Sequence, residues 1–197
     1  MKKIMFNDKY GLTQAVLEGR KTQTRRMFLK PGEESLLRGI TSEYLISVRS
    51  RYELGETIAI AQKYEDLIKD DEFYRLCGKN GMPLECIKYE RGCNNKMFVR
   101  ADLMPHHIRI TRIRVERLQD ISEEDCLAEG IKEIYENGVD DTSEFYGYAY
   151  LPDATPCVDE TYNYPQEAYA ALIDKISGKC TWKNNPYVFV YEFELIK

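Results

Sequence analysis

The sequence has no long hydrophobic run. Its apolar stretches, such as Val188 to Tyr191 and Ala168 to Ile173, fall far short of the roughly 18 residues that a spanning helix needs. The N-terminus, Met1-Lys2-Lys3-Ile4-Met5-Phe6-Asn7-Asp8, starts basic but turns polar before an apolar region develops, so it does not read as a signal peptide. A chain without a membrane segment, in the cytoplasm, is the expectation. No C-x-x-C pair occurs among the cysteines Cys77, Cys86, Cys93, Cys126, Cys157 and Cys180. They read as reduced thiols without disulfide partners. Cys77, Cys86, Cys93 and the His106-His107 pair share one segment, but not the close pairing that structural zinc sites use, so neither metal nor cofactor is expected. No repeat and no low-complexity tract is present, which excludes solenoids and disordered linkers.

Net positive charge is also lacking. The 197 residues carry a formal net charge of −5, which argues against indiscriminate binding to nucleic acid. The charge is unevenly placed, however. Arg20, Lys21, Arg25, Arg26 and Lys30 fall between Arg20 and Gly32 without an acid, whereas Asp120 to Glu144 is strongly acidic. A local basic site on an acidic protein suits one anionic or electron-rich ligand better than a long duplex.

The length favours one domain, 1–197, with excursions at about 64–96 and 134–164. A short helix is expected over Leu12 to Glu18, capped by Gly19, with a basic loop following. Gly55-Glu56 turns into a strand over Thr57 to Gln62. His107 to Leu118 reads as a second strand, whose slipped alternation calls for a bulge near Thr111-Arg112. Ser122 caps a helix whose first turn holds Glu123, Glu124 and Asp125 and which ends before Gly130. Asp125 makes an imperfect capping box. The Tyr-, Asp- and Gly-rich stretch Ile134 to Tyr164 lacks a period and reads as a long loop or lid. Pro165 opens a helix to Ser177, with Ala168, Leu172, Ile173 and Ile176 inward, and Tyr187 to Leu195 closes the chain as a strand. Short strands with few helices point to a mainly β, α+β fold, a small and mostly antiparallel barrel.

The chemically distinctive peptide is Gly19-Arg20-Lys21-Thr22-Gln23-Thr24-Arg25-Arg26. It sets a lysine three residues before a hydroxyl, with two arginines just beyond. Desolvation or neighbouring cations can lower a lysine pKa, and a threonine needs such a base to act as a nucleophile. Read on composition alone, the same peptide is a solvated basic turn. Three other features have ordinary readings. Arg109, Arg112, Arg114 and Arg117 could track a phosphate backbone, but Glu116 interrupts them and a solvated strand face fits. Tyr146, Tyr148 and Tyr150 alternate and could stack bases, although loop tyrosines commonly pack locally. His106-His107 reads as a strand entry, because adjacent strand residues point to opposite faces.

This peptide resembles the G-x-K-x-x-[E/T]-x-R signature of ASCH (activating-signal-cointegrator homology) domains, with Gly19, Lys21, Thr24 and Arg26 on the fixed positions. Gly55-Glu56, the run Arg114 to Glu124 continuing to Ala128-Glu129-Gly130-Ile131, and the ending Trp182 to Phe193 with Asn185-Pro186-Tyr187-Val188 resemble a phage-associated branch of that family. The two excursions are not covered. The resemblance implies a PUA-like pseudobarrel of mostly antiparallel strands with a few short flanking helices. It also implies a cleft that binds RNA, a nucleotide or a modified nucleoside, with Gly19, Arg20, Arg25 and Arg26 as ligand contacts. Some small ASCH proteins are amidohydrolases that deacylate N4-acetylcytidine through a lysine, a threonine and a glutamate, and Lys21, Thr24 and Glu129 fall on those positions. This chain is longer than those enzymes, and Arg25 stands where they carry an apolar residue. Binding module and hydrolase are both open readings. A protein-interaction module is a third, which no specific residue favours.

Overall fold

Strand β7 (Tyr187–Ile196) organises the molecule, because both of its faces are apolar: Val188, Phe189, Val190, Tyr191 and Phe193 are all buried. A computed structural model describes residues 1–29, 37–137, 143–154 and 160–196, so Lys30 and Cys157 lie outside the described residues. The fold is mixed α+β. Strands β1 (Lys3–Ile4), β2 (Gln23–Met27), β3 (Thr57–Ile60), β4 (His107–Arg117) and β7 form one sheet in the order β1-β3-β4-β7-β2, antiparallel except for β1 with β3. The sheet ends in β1 and β2. Arg26 of β2 reaches across that gap and donates from Nη2 to the Met5 carbonyl at 2.7 Å.

Much of the expected pattern is present. Helix α1 (Leu12–Leu17) is followed by Gly19 at φ 76°, and α5 (Glu123–Ala128) starts where the Ser122 hydroxyl accepts from Asp125 N. Helix α6 (Pro165–Ser177) begins on its proline, and the register of β4 against β7 shifts between Ile110 and Arg112. A bulge there turns Ile108 and Ile110 into the core while Ile113 and Val115 stay half-buried. No helix among the described residues is long and apolar enough to cross a membrane.

Several expectations need correction. The basic peptide continues as β2 and not as a loop, its residues paired with β7 from Gln23↔Glu192 to Met27↔Val188. Residues 134–164 are not a structureless lid, because β5 (Lys132–Asn137) and β6 (Ser143–Ala149) form a hairpin. A register shift between Ile134 and Tyr135 breaks the alternation that would have announced it. Of the alternating tyrosines, Tyr150 packs locally, the ordinary reading of such residues. Tyr150 is buried between Tyr10 and Tyr162, with ring centroids 5.9 and 6.2 Å away.

The other excursion is a packed unit. Helices α3 (Tyr64–Leu67) and α4 (Asp71–Lys79) bury Tyr64, Leu67, Phe73 and Cys77 with Ile87, Val99, Leu103 and Met104 in a second core. Strand alternation divides the two cores. Ile58 and Ile60 face the main one, Ala59 and Ala61 the second. Three further helices, α2 (Ser42–Arg49), α6 and α7 (Thr181–Asn184), flank the sheet. The strand arginines fit the solvated reading in part. Arg109 and Arg112 are exposed and ion-paired with Glu194 and Glu192, whereas Arg117 lies over the Tyr187 ring at 3.9 Å.

Candidate functional site

Lys21 enters the interior because its backbone is held on two sides. Its N–H donates to the Ala15 carbonyl, and the next N–H, of Thr22, donates to the Ala128 carbonyl. These bonds lay the start of β2 along the end of α5. Gly130 follows that helix at φ 106°, and a Cβ there would meet Leu12 Cδ2 at 3.2 Å and the Lys21 stem at 3.7 Å. A larger residue would press on the stem that Lys21 needs to reach Glu129.

The Lys21 ammonium donates to Glu129 Oε2 at 2.5 Å and to the Glu129 carbonyl at 2.7 Å. Lys21 is 2% exposed and Glu129 4%. Burial pulls the Lys21 pKa below that of a free lysine, Glu129 pulls it back, and the cations Arg26 and Arg25 add to the lowering. The Lys21 amine and the Arg26 guanidinium both sit over the Phe6 ring, at 6.0 and 5.8 Å.

The second carboxylate oxygen of Glu129 belongs to Arg25, whose Nη1 donates to it at 3.2 Å. Arg25 Nη2 donates to Glu116 at 2.6 Å and to Asp125 at 2.7 Å, and Arg114 closes the network on Glu116 at 2.8 Å and Asp125 at 2.9 Å. Arg114 also pairs with Glu192 at 3.1 Å, so three cations, Lys21, Arg25 and Arg114, meet four carboxylates, and this pairing is what makes burial of these charges tolerable. Burial opposes the Arg25 charge, but Glu129 and its neighbours hold it more firmly protonated than a free arginine.

Lys21, Thr24, Arg25, Arg26 and Glu129 all line one cavity of about 620 Å³. Thr24 is 5% exposed, and its hydroxyl has no hydrogen-bond partner among the described residues. Leu172, Ile173 and Ile176 of α6 and Val188 of β7 give the cavity an apolar wall. Lys96 and Asp8, paired at 2.7 Å, stand at its edge, so the excursion ending near residue 96 contributes to the rim.

Two expected ligand contacts are elsewhere. Arg20 folds back on Glu18, Nε to Oε2 at 2.8 Å, and Gly19 caps α1; neither lines the cavity. Arg25 lines it but is committed to carboxylates through both terminal nitrogens, so it anchors Glu129 and does not present a free fork to a ligand. Asp125 does not close a capping box. Its carboxylate turns instead to Arg25 and Arg114.

Sequence reasoning also missed contributors to the site. Tyr169 of α6 lies beneath the Arg25 guanidinium at 6.0 Å, and burial together with Glu129 pushes its hydroxyl pKa well up. Its signal was the inward stripe of α6, one position from the expected Ala168. Asp125 and Glu116 carried no local signal for this role, because Arg25, which they share, lies about a hundred residues away on β2. Cys77 is buried in the second core, and no group of histidine, cysteine and acidic residues with metal-site geometry occurs among the described residues.

No protein-family model matches the chain, and no curated protein matches it. Among solved structures it is similar to a DUF984 protein of Enterococcus faecalis, with 13% sequence identity and a TM-score of 0.36. That alignment covers 94% of this chain and 66% of the other. A likeness this distant carries no weight for fold or function.

Proposed function

We propose that this chain is an ASCH domain with a PUA-like pseudobarrel, whose cavity binds a modified nucleoside and hydrolyses its exocyclic amide. The observation that carries this reading is the unpartnered Thr24 hydroxyl on the same cavity as the buried Lys21–Glu129 pair. The bond from Arg26 of β2 to the Met5 carbonyl just past β1 supports the pseudobarrel, since it links the two ends of the sheet.

In the acting form Lys21 is the neutral amine, which its lowered pKa favours. It accepts the Thr24 proton as Oγ1 bonds to the amide carbonyl carbon, and returns a proton to the exocyclic nitrogen as the C–N bond breaks. The acyl group is then an ester on Thr24. Water hydrolyses that ester, releasing the carboxylic acid and restoring the hydroxyl. Glu129 orients Lys21 through Oε2, and Arg25 holds Glu129 through Oε1. Arg26, exposed and with donors beyond its bond to Met5, faces the developing oxyanion.

The close Lys21–Glu129 contact favours a second reading, in which the pair stays ionised and the cavity binds RNA or a nucleoside without turnover. Incubation with N4-acetylcytidine, followed by chromatography for cytidine, separates the two. Cytidine from the wild type, and from neither Lys21→Ala nor Thr24→Ala, is the expected result. Binding without product from any form would replace the hydrolase with a reader domain.

A further inference from the structure

A second cavity of about 440 Å³ adjoins the first across the seam between β1 and β2. Among the described residues its lining includes the cations Lys3, Arg26, Arg49 and Arg51 and no carboxylate, over a floor that contains Tyr52 and Tyr191. Lys3 is occupied, donating to the Met97 and Val99 carbonyls at 2.6 Å each. Arg49 and Arg51 are exposed and form no ion pair among the described residues. The exposed arginines Arg75, Arg100, Arg109 and Arg112 each have an acidic partner, whereas Arg38 and Arg91, like Arg49 and Arg51, have none among the described residues; what sets this surface apart is that Arg26, Arg49 and Arg51 line one cavity together.

The position of Arg51 is also fixed. The Tyr191 hydroxyl accepts from the Arg51 backbone N–H at 3.2 Å and lies 3.1 Å from Ser50 Oγ, tying the end of α2 to the sheet. The Arg51 guanidinium lies 5.6 Å from the centre of the Tyr52 ring. Guanidinium groups without carboxylates, set on aromatic rings, suit the forked hydrogen bonding of a phosphate. Met5, Arg26 and Met27 line both cavities, so a ligand in one can continue into the other.

We infer that Arg26, Arg49 and Arg51 form a phosphate subsite, which takes the phosphate of a nucleotide whose base occupies the Lys21–Glu129 cavity. The inference rests on the nucleoside reading for the base but not on hydrolysis.

Titration calorimetry with cytidine, cytidine 5′-monophosphate and a short oligocytidylate tests it, using wild type and an Arg49→Gln/Arg51→Gln double variant. The monophosphate binds the wild type about tenfold more tightly than cytidine at low salt, and the gain falls as salt rises. The double variant loses most of that gain yet deacylates N4-acetylcytidine as the wild type does. An Arg49→Lys/Arg51→Lys variant, which keeps the charge, recovers part of it. Oligocytidylate binding more tightly than the monophosphate identifies a strand as the source of the phosphate, and weaker binding identifies a free nucleotide; both retain the subsite. Equal affinity for cytidine and its monophosphate, or a gain that survives in the double variant, overturns the inference. Should no form deacylate while the phosphate gain persists and depends on Arg49 and Arg51, hydrolysis fails and the subsite stands.

Discussion

Two adjacent arginines of β2 mark the difference between the two cavities. Arg25 is buried and meets Glu129, Glu116 and Asp125, whereas Arg26 is exposed and meets a backbone carbonyl. Around Arg25 every buried cation has an acid beside it, so the local charge is balanced and a proton can change hands without leaving a bare ion in the interior. Around Arg26 the cations outnumber the acids, and solvent keeps their charge tolerable until an anion arrives. Pairing thus suits the first cavity to proton transfer and its absence suits the second to binding.

The contrast can be broken from the paired side with the largest effects. Lys21→Ala and Thr24→Ala each lower deacylation on the order of a thousandfold in steady-state assays. Thr24→Ala keeps the thermal midpoint of the wild type, because its hydroxyl has no hydrogen-bond partner among the described residues. Arg25→Leu removes the cation shared by Glu129, Glu116 and Asp125, leaving only Lys21 and Arg114 to offset them, and costs about 3–5 kcal/mol in urea unfolding at neutral pH. A loss within about 1 kcal/mol would show that the network is dispensable.

The pH dependence sharpens the same point. Because burial lowers the Lys21 pKa, the deacylation rate rises with pH and levels off below 10.5, the ordinary lysine value. A plateau only above that value would contradict the burial of the amine. For Asp125, burial alone would raise the pKa, but hydrogen bonds from Arg114 and Arg25 bring it below 3.8. The unfolded chain therefore takes up this proton first. Asp125 contributes stability fully above 3.8, and the contribution fades as pH falls through the depressed value. Wild type exceeds Asp125→Asn by about 1–2 kcal/mol at pH 7, and the two converge in strong acid. The smallest effect on stability belongs to the unpaired side. Arg26→Ala removes one bond to Met5 and costs only about 0.5–1 kcal/mol of stability in the same unfolding experiment, while it weakens nucleotide binding and, by removing the oxyanion donor, slows deacylation.

Local chemistry made part of this arrangement legible in the sequence. The Ser122 cap, the Pro165 start and the bulge beside Thr111 are signalled by residues within a turn of where they act, and each occurs as expected. The hairpin of β5 and β6 was hidden because its strands are polar and aromatic and its alternation slips at Ile134. Helix α4 carried a signal that went unread: the Asp70 side chain accepts from Phe73 N, and Phe73 and Cys77 lie four residues apart on its buried face. At the site, Lys21 and Thr24 stood out by spacing and Glu129 by resemblance, and all three line one cavity. The role of Arg25 did not stand out. Its partners Glu116, Asp125 and Glu129 lie 91, 100 and 104 residues away, and only the tertiary fold, with β2 and β4 both paired to β7 and the end of α5 bonded to Thr22, brings them together.

The central claim, that the Lys21–Glu129 pair activates Thr24, is tested most directly by intact-mass analysis of protein quenched early in its reaction with N4-acetylcytidine. The account predicts one acetyl group per chain, mapped by peptide fragmentation to Thr24, absent from Thr24→Ala and from Lys21→Ala. Cytidine formed at the wild-type rate by Thr24→Ala, with no acetylated protein in any sample, would contradict it.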